Sequence, residues 1–316
     1  MIAILRRLAR KFELRRLMRV FCGKKENFSA LLSLDRPRST PTRYLAIAAM
    51  FKDEGPYLAE WLEFHRLTGI EHVYLYDDGS TDTSCTVLKP YLHEGFVSVI
   101  PWAFRMPMDY MQRFAYAHAI LNFGVHWRWM AFIDIDEFLF PVEGNSLPTT
   151  LVDYERLPAV AVYWTNFGFN GHEKRPSGLT IENYTRPICG FGLRPKSIVD
   201  PSKVIGIKTV HLFDFADGPQ IGYDEQNRLV RCDDEVGPSN ILRLNHYITR
   251  SREEFAAKLS KWDRVRVKQS DKRRRQSIQM KEAAFHDNTI LRFVPEVKQR
   301  LGLVTAKGPN NHRSSA

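Results

Sequence analysis

The sequence predicts an α/β fold with a mostly parallel central sheet flanked by helices on both faces and a less regular C-terminal half. Three observations carry that prediction. Short runs of β-branched and aromatic residues alternate with helical periods from residue 44 to residue 133. The strand runs are nearly continuous in apolar residues, as strands covered on both faces are. Two acidic clusters stand directly after strand runs, at the carboxyl ends where open parallel sheets bind ligands.

The chain opens on a basic leader. Ile4, Leu5, Leu8 and Phe12 share one helical stripe; Leu14, Leu17, Met18 and Phe21 share another. No apolar core of a secretory signal follows the first cations. The segment suits contact with an anionic membrane surface, and equally a solvated leader. Residues 33–42, with Pro37 and Pro41, read as a linker, so 1–43 is set apart from a domain over 44–300.

Within that domain, 44–50 reads as a buried strand. Pro56 opens a helix through 67 on which Leu58, Trp61, Leu62 and His65 share a face. A strand over 71–76, a helix over 83–92, a strand over 97–101, a helix over 109–123 and a strand over 129–133 follow. After Pro141 the pattern loosens to strands over 160–164 and 208–213 and a helix over 252–261. The domain is expected to divide into halves over 44–140 and 141–300, with 301–316 a disordered tail.

The 316 residues, with 44% hydrophobic and 26% charged, exclude wholesale disorder. No apolar run approaches the roughly 18 residues a membrane-crossing helix needs. Cys22, Cys85, Cys189 and Cys232 form no C-x-x-C pair, which argues against a zinc ribbon or a disulfide framework and for a reducing compartment. The expected location is the cytoplasm, with peripheral contact at the inner face of a membrane. The net charge of +10 is concentrated in residues 1–43, where 12 Lys/Arg meet 3 Asp/Glu. The rest is nearly neutral apart from a basic run over 264–275. It lacks the interleaved aromatics of a nucleic-acid surface, so no nucleic-acid partner is expected.

The first acidic cluster, D-D-G-S-T-D (77–82), has a helix-start reading that accounts for Ser80–Asp82 but leaves Asp77 and Asp78 unexplained. The second, Asp134-Ile135-Asp136-Glu137, closes the strand at 129–133. If that strand continues, Asp134 and Asp136 point to one side. Two converging carboxylates repel unless a cation sits between them, and hard divalent ions take such oxygen ligands.

The stretches K-D-E-G-P-Y-L (52–58), E-W-L-E-F-H (60–65), Y-L-Y-D-D-G-S-T-D (74–82) and F-I-D-I-D-E-F (132–138) resemble those of glycosyltransferase family 92-like proteins. These are relatives of glycosyltransferase family 2 with a GT-A fold. F-G-F-N-G-H (167–172), K-S-I-V (196–199) and N-H-Y-I-T-R-S-R-E-E-F (245–255) continue the resemblance in order.

The resemblance implies metal-dependent, inverting transfer of a sugar from a nucleotide-sugar donor to a hydroxyl on a glycan, polysaccharide or lipid-linked acceptor. It implies a nucleotide-binding half over 44–140, in which Glu54 and Asp78 hold the nucleotide, and a half over 141–300 that closes over the acceptor. Asp134 and Asp136 would hold Mn²⁺ or Mg²⁺, with His246 completing the set. Asp53 departs from the Asn more usual at its position. Gly171 would let the backbone approach the sugar, and Lys196 would meet phosphate charge, although lysines on a solvated face are commoner. His172 or Glu173 is the candidate general base, with Asp214 next. His65, His118 and His211 read as packing residues. The rival readings are a metal-dependent nucleotidyl or phosphoryl transferase, disfavoured by the lack of a G-x-x-x-x-G-K-S/T loop, and a non-catalytic carbohydrate- or membrane-binding module.

Overall fold

Strand β1 (Arg43–Phe51) divides the protein into two cores. Its side chains alternate between them. Leu45, Ile47, Ala49 and Phe51 belong to one cluster; Ala46 and Ala48 belong to the other. The computed structural model describes residues 40–104, 108–189, 195–216, 218–220, 222–230, 240–265 and 281–303. The expected leader up to residue 39, most of the basic run and the tail from 304 lie outside the described residues.

From β1 the chain runs through α1 (Gly55–Leu67), β2 (His72–Asp77), α2 (Ser84–His93), β3 (Val97–Pro101), α3 (Met108–Phe123), β4 (Trp127–Phe132), β5 (Glu137–Pro141) and α4 (Leu147–Leu151). It continues with β6 (Ala159–Asn166), α5 (Thr180–Asn183), β7 (Ile188–Cys189), β8 (Pro195–Val199), β9 (Gly206–Thr209), β10 (Leu212–Phe215) and β11 (Gly218–Gln220). β12 (Gly222–Tyr223), β13 (Leu229–Val230), β14 (Leu242–His246), α6 (Arg252–Val265), β15 (Lys281–Glu282) and α7 (Val294–Arg300) complete it.

Strands β4, β1, β2 and β3 are neighbours and all parallel. α1 covers one face of this block with Leu58, Trp61, Leu62 and Phe64, and α3 covers the other with Phe114, Ala115 and Ile120. Burying one such large side chain contributes about 1.5–3 kcal/mol. The α/β class with helices on both faces is therefore what the chain adopts, and no described helix is long and apolar enough to cross a membrane.

One expectation changes. The strand expected over 208–213 is a hairpin: β9 and β10 run antiparallel, with the chain reversing at Val210 and His211. No Gly or Pro marks that reversal, so the sequence reads as one run. The two halves also share one sheet. β8 enters antiparallel between β4 and β6, so the second half is continuous with the first.

Candidate active site

At the carboxyl ends of β1 and β2, two loops clasp one another. Asp53 has φ 54°, a left-handed conformation that Asp tolerates better than most residues. Its Oδ1 accepts from Thr81 N at 2.8 Å, and its own N–H donates to Ser80 Oγ at 2.9 Å. Asp82 accepts from Gly55 N at 2.8 Å and from Ser84 N at 2.9 Å, which is the expected helix-start role. Asp77, unexplained by that role, accepts from Ser80 N at 2.8 Å and closes the turn. Asp78 has no such duty. It stands 3.7 Å from Lys52 Nζ, and burial pushes its carboxyl above the usual range. Glu54 receives Arg250 Nη1 at 2.9 Å.

Beyond β4, the expected extended strand does not continue. Residues 134–136 form the turn into β5, closed by Glu137 N donating to Asp134 O. Asp134 and Asp136 therefore part to different partners instead of converging along a strand. The antiparallel register of β8 on β4 brings Lys196 level with this turn. Its Nζ lies 2.8 Å from Asp134 Oδ2 and 3.6 Å from Glu137 Oε1, with only 2% of the side chain exposed. It is not on a solvated face. Burial disfavours its charge, but the two carboxylates outweigh that and raise its pKa. Gln112, from α3, donates to Asp134 Oδ1 at 2.8 Å.

Asp136 faces the other way. Lys258 Nζ, from α6, lies 2.6 Å from its Oδ2, and His246 Nε2 lies 3.6 Å from its Oδ1. Burial opposes its charge, yet the Lys258 ammonium holds the carboxyl well below its ordinary value.

Strand registry assembles the rest. His246 pairs with Glu137 across β14 and β5, and with Asn166 across β14 and β6, so three side chains stand in one rank. Asp136, Glu137 and His246 each offer a ligand atom, all within 4.8 Å of one another. His246 Nδ1 is 2.8 Å from Asn166 Oδ1, and burial keeps the ring neutral. Glu137 is fully buried; one oxygen accepts from Asp134 N at 2.9 Å, and Oε1 has no hydrogen-bond partner. Burial raises its pKa well above the carboxylate range. A carboxyl oxygen that makes no hydrogen bond, beside a neutral imidazole and a second carboxyl group, is a donor set that fits a divalent cation. Asp134 stands outside this group.

The glycine segment lies to one side. Gly171 has φ 78°, and a Cβ there would meet open space. The His172 ring meets Tyr184 edge-on, and exposed Glu173 pairs with Arg252 at 3.0 Å. Asp214, on β10, is buried with Lys208 at 3.7 Å, and its Oδ1 has no hydrogen-bond partner. His65 is sealed in the core, as expected. His118 meets Tyr76, and His211 packs on Trp164.

The pattern of glycosyltransferase family 92 matches residues 44–288, most of the chain. The chain belongs to glycosyltransferase family 92. A family 92 protein of Ricinus communis is 29% identical over 213 residues, 64% of this chain and 35% of its own length. One of Oryza sativa subsp. japonica is 28% identical over 206 residues, 60% and 34% of the two chains. This chain thus spans about a third of those relatives. Among solved structures, S. aureus TarS in complex with UDP has a TM-score of 0.34 at 15% identity, covering 50% of this chain and 47% of that one. The mannosyltransferase PcManGT of Pyrobaculum calidifontis, in complex with GDP-Man and Mn2+, has a TM-score of 0.29 at 16% identity, covering 41% and 36%.

Sequence reading of this family 92 chain missed five participants. Glu137 was visible inside D-I-D-E but had no role of its own. Asn166, Gln112, Lys258 and Arg250 reach the site only through strand pairing and the packing of α3 and α6.

Proposed function

We propose that this family 92 chain transfers a sugar from a nucleotide-sugar donor to a hydroxyl of a glycan or lipid-linked acceptor, with inversion and with Mn²⁺ or Mg²⁺ as cofactor. The observation that carries this is the rank of Asp136, Glu137 and His246 beside the β4 turn, with Glu137 Oε1 making no hydrogen bond. Those three residues would hold the ion. When bound, it would stabilise the negative charge of the departing diphosphate. Glu54 and Asp78, at the neighbouring strand ends, would hold the nucleoside. Asp134, anchored by Lys196 and Gln112, would sit against the donor, and Lys196 would act by orienting that carboxylate rather than by meeting phosphate. Gly171 leaves room for the sugar, and His172 or Glu173 would take the proton of the acceptor hydroxyl. Contact of the leader with an anionic membrane would bring a lipid-linked acceptor within reach.

The test is thermal unfolding with sugar nucleotides, each with and without Mn²⁺. A ligand that binds only the folded protein raises its melting temperature. At least one donor is expected to stabilise the protein in a Mn²⁺-dependent way. No shift with any UDP-, GDP- or other nucleotide sugar overturns the reading. Replacing the base should depress turnover on the order of 10²–10⁴-fold while sparing donor binding. Normal turnover in both His172→Ala and Glu173→Gln moves the assignment to Asp214.

A further inference from the structure

The acidic centre already carries two cations of its own. Asp134, Asp136 and Glu137 meet the ammonium groups of Lys196 and Lys258. The two lysines differ in freedom. Lys196 is sealed, with 2% of its side chain exposed, whereas Lys258 is 33% exposed and is tethered by Asp136 Oδ2 at 2.6 Å and Ile248 O at 3.3 Å. A divalent ion held by Asp136, Glu137 and His246 would share Asp136 with that ammonium, and like charges a few Å apart repel strongly in a partly buried site.

Resting on the metal-dependent reading above, we infer that Lys258 is a resident counter-cation that occupies Asp136 in the ion-free protein and yields it to a divalent ion arriving with a diphosphate. Three carboxyl groups against two ammonium groups leave little net negative charge to attract a bare ion. A diphosphate supplies the missing negative charge and gives the displaced ammonium a new partner. The bare ion should therefore bind weakly, and ion and nucleotide should strengthen one another. Lys258 is a positioning residue in this account. Its helix is also tied to the candidate base segment, because Arg252 N donates to His172 O at 3.1 Å and Glu253 N donates to Glu173 O at 3.0 Å.

Calorimetric titration of Mn²⁺ into the full chain, alone and with UDP or GDP present, tests this. Lys258→Met is expected to bind Mn²⁺ without nucleotide about tenfold more tightly than wild type, equivalent to ~1.4 kcal/mol, and to gain less from added nucleotide. Lys258→Arg, which keeps the charge, should behave as wild type. Should Lys258→Met not fold, Lys258→Gln carries the same comparison. Unchanged or weaker nucleotide-free Mn²⁺ binding in a folded neutral variant overturns the inference while leaving the metal reading intact. Failure of every form, wild type included, to bind Mn²⁺ with or without nucleotide overturns both.

Discussion

His246 Nδ1 lies 2.8 Å from Asn166 Oδ1, and this contact fixes what the other side of the ring can do. An acceptor at Nδ1 places the proton there, so the Nε2 lone pair faces Asp136. The pairing of β14 with β6 builds the contact into the sheet. Asn166→Leu is expected to weaken Mn²⁺ binding about 10–100-fold, the usual effect of removing a ligand's hydrogen-bond partner. Asn166→Asp, which keeps the acceptor, should lose much less. Equal Mn²⁺ affinity in wild type and the Leu variant, by calorimetry, would refute the orientation argument.

Acid should destabilise this fold through two buried imidazoles. His65 Nδ1 donates to Trp61 O at 2.8 Å and Nε2 accepts from Leu139 N at 3.2 Å, which leaves no place for a second proton. Burial lowers its pKa to about 3; burial and then Arg43 lower that of His72 to about 4. Both values lie below the unfolded value of roughly 6.5. The unfolded chain therefore binds more protons, and the stability is full above that pH and is lost on acidification. Each residue should contribute a slope of up to about 1.4 kcal/mol per pH unit between roughly 6.5 and its folded value. Denaturant midpoints from pH 7 to pH 4 check this, and His65→Gln should flatten the profile.

Gly55 is where the two loops at the ends of β1 and β2 touch. A Cβ there would come within 2.5 Å of Thr83 Oγ1, 2.8 Å of Ser84 N and 2.9 Å of Asp82 Oδ2. Gly55→Ala must push the loops apart, at an expected loss of about 1–3 kcal/mol. Glu54 and Asp78 ride on those loops, so nucleotide affinity should fall along with the melting temperature. A variant that melts lower but binds nucleotide normally would show that the clasp serves stability alone.

These predictions divide along what one-dimensional reading can see. The β1-to-β4 block was legible because its strands are continuous apolar runs and α1 has Pro56 at its start and Gly69 just past its end. Asp134 and Asp136 were legible as acids at a strand end, and His246 through the family resemblance. Their electrostatics were not. Expecting two unneutralised carboxylates assumed that no lysine reaches them, whereas Lys196 pairs with Asp134 from 62 residues away and Lys258 with Asp136 from 122. Neither distance leaves a local periodic signal. The strand alternation invoked for the two aspartates failed for a local reason: the chain turns at 134–136 to begin β5.

Asp136→Asn isolates the role of the metal-facing carboxylate. Two empty, repelling carboxylates would have predicted a neutral or stabilising effect. The structure reverses that sign, because the Lys258 ammonium holds Asp136 well below its ordinary pKa. A group stabilised in its charged form contributes stability above its unfolded pKa, so removing the charge at neutral pH should lower the melting temperature. The loss should be about 1–2 kcal/mol, at the low end for a broken pair because Lys258 keeps access to water. A lowered melting temperature then fits both a structural and a metal-binding role and decides nothing. The dependence of donor affinity on the ion does decide. Wild type should bind its sugar nucleotide more tightly with Mn²⁺ than without, and Asp136→Asn should bind it equally weakly in both conditions. A matched control is Asp134→Asn, which leaves the Asp136–Glu137–His246 group whole and should keep part of the Mn²⁺ effect. Metal-dependent donor affinity surviving in Asp136→Asn would sink the assignment, however much the variant is destabilised.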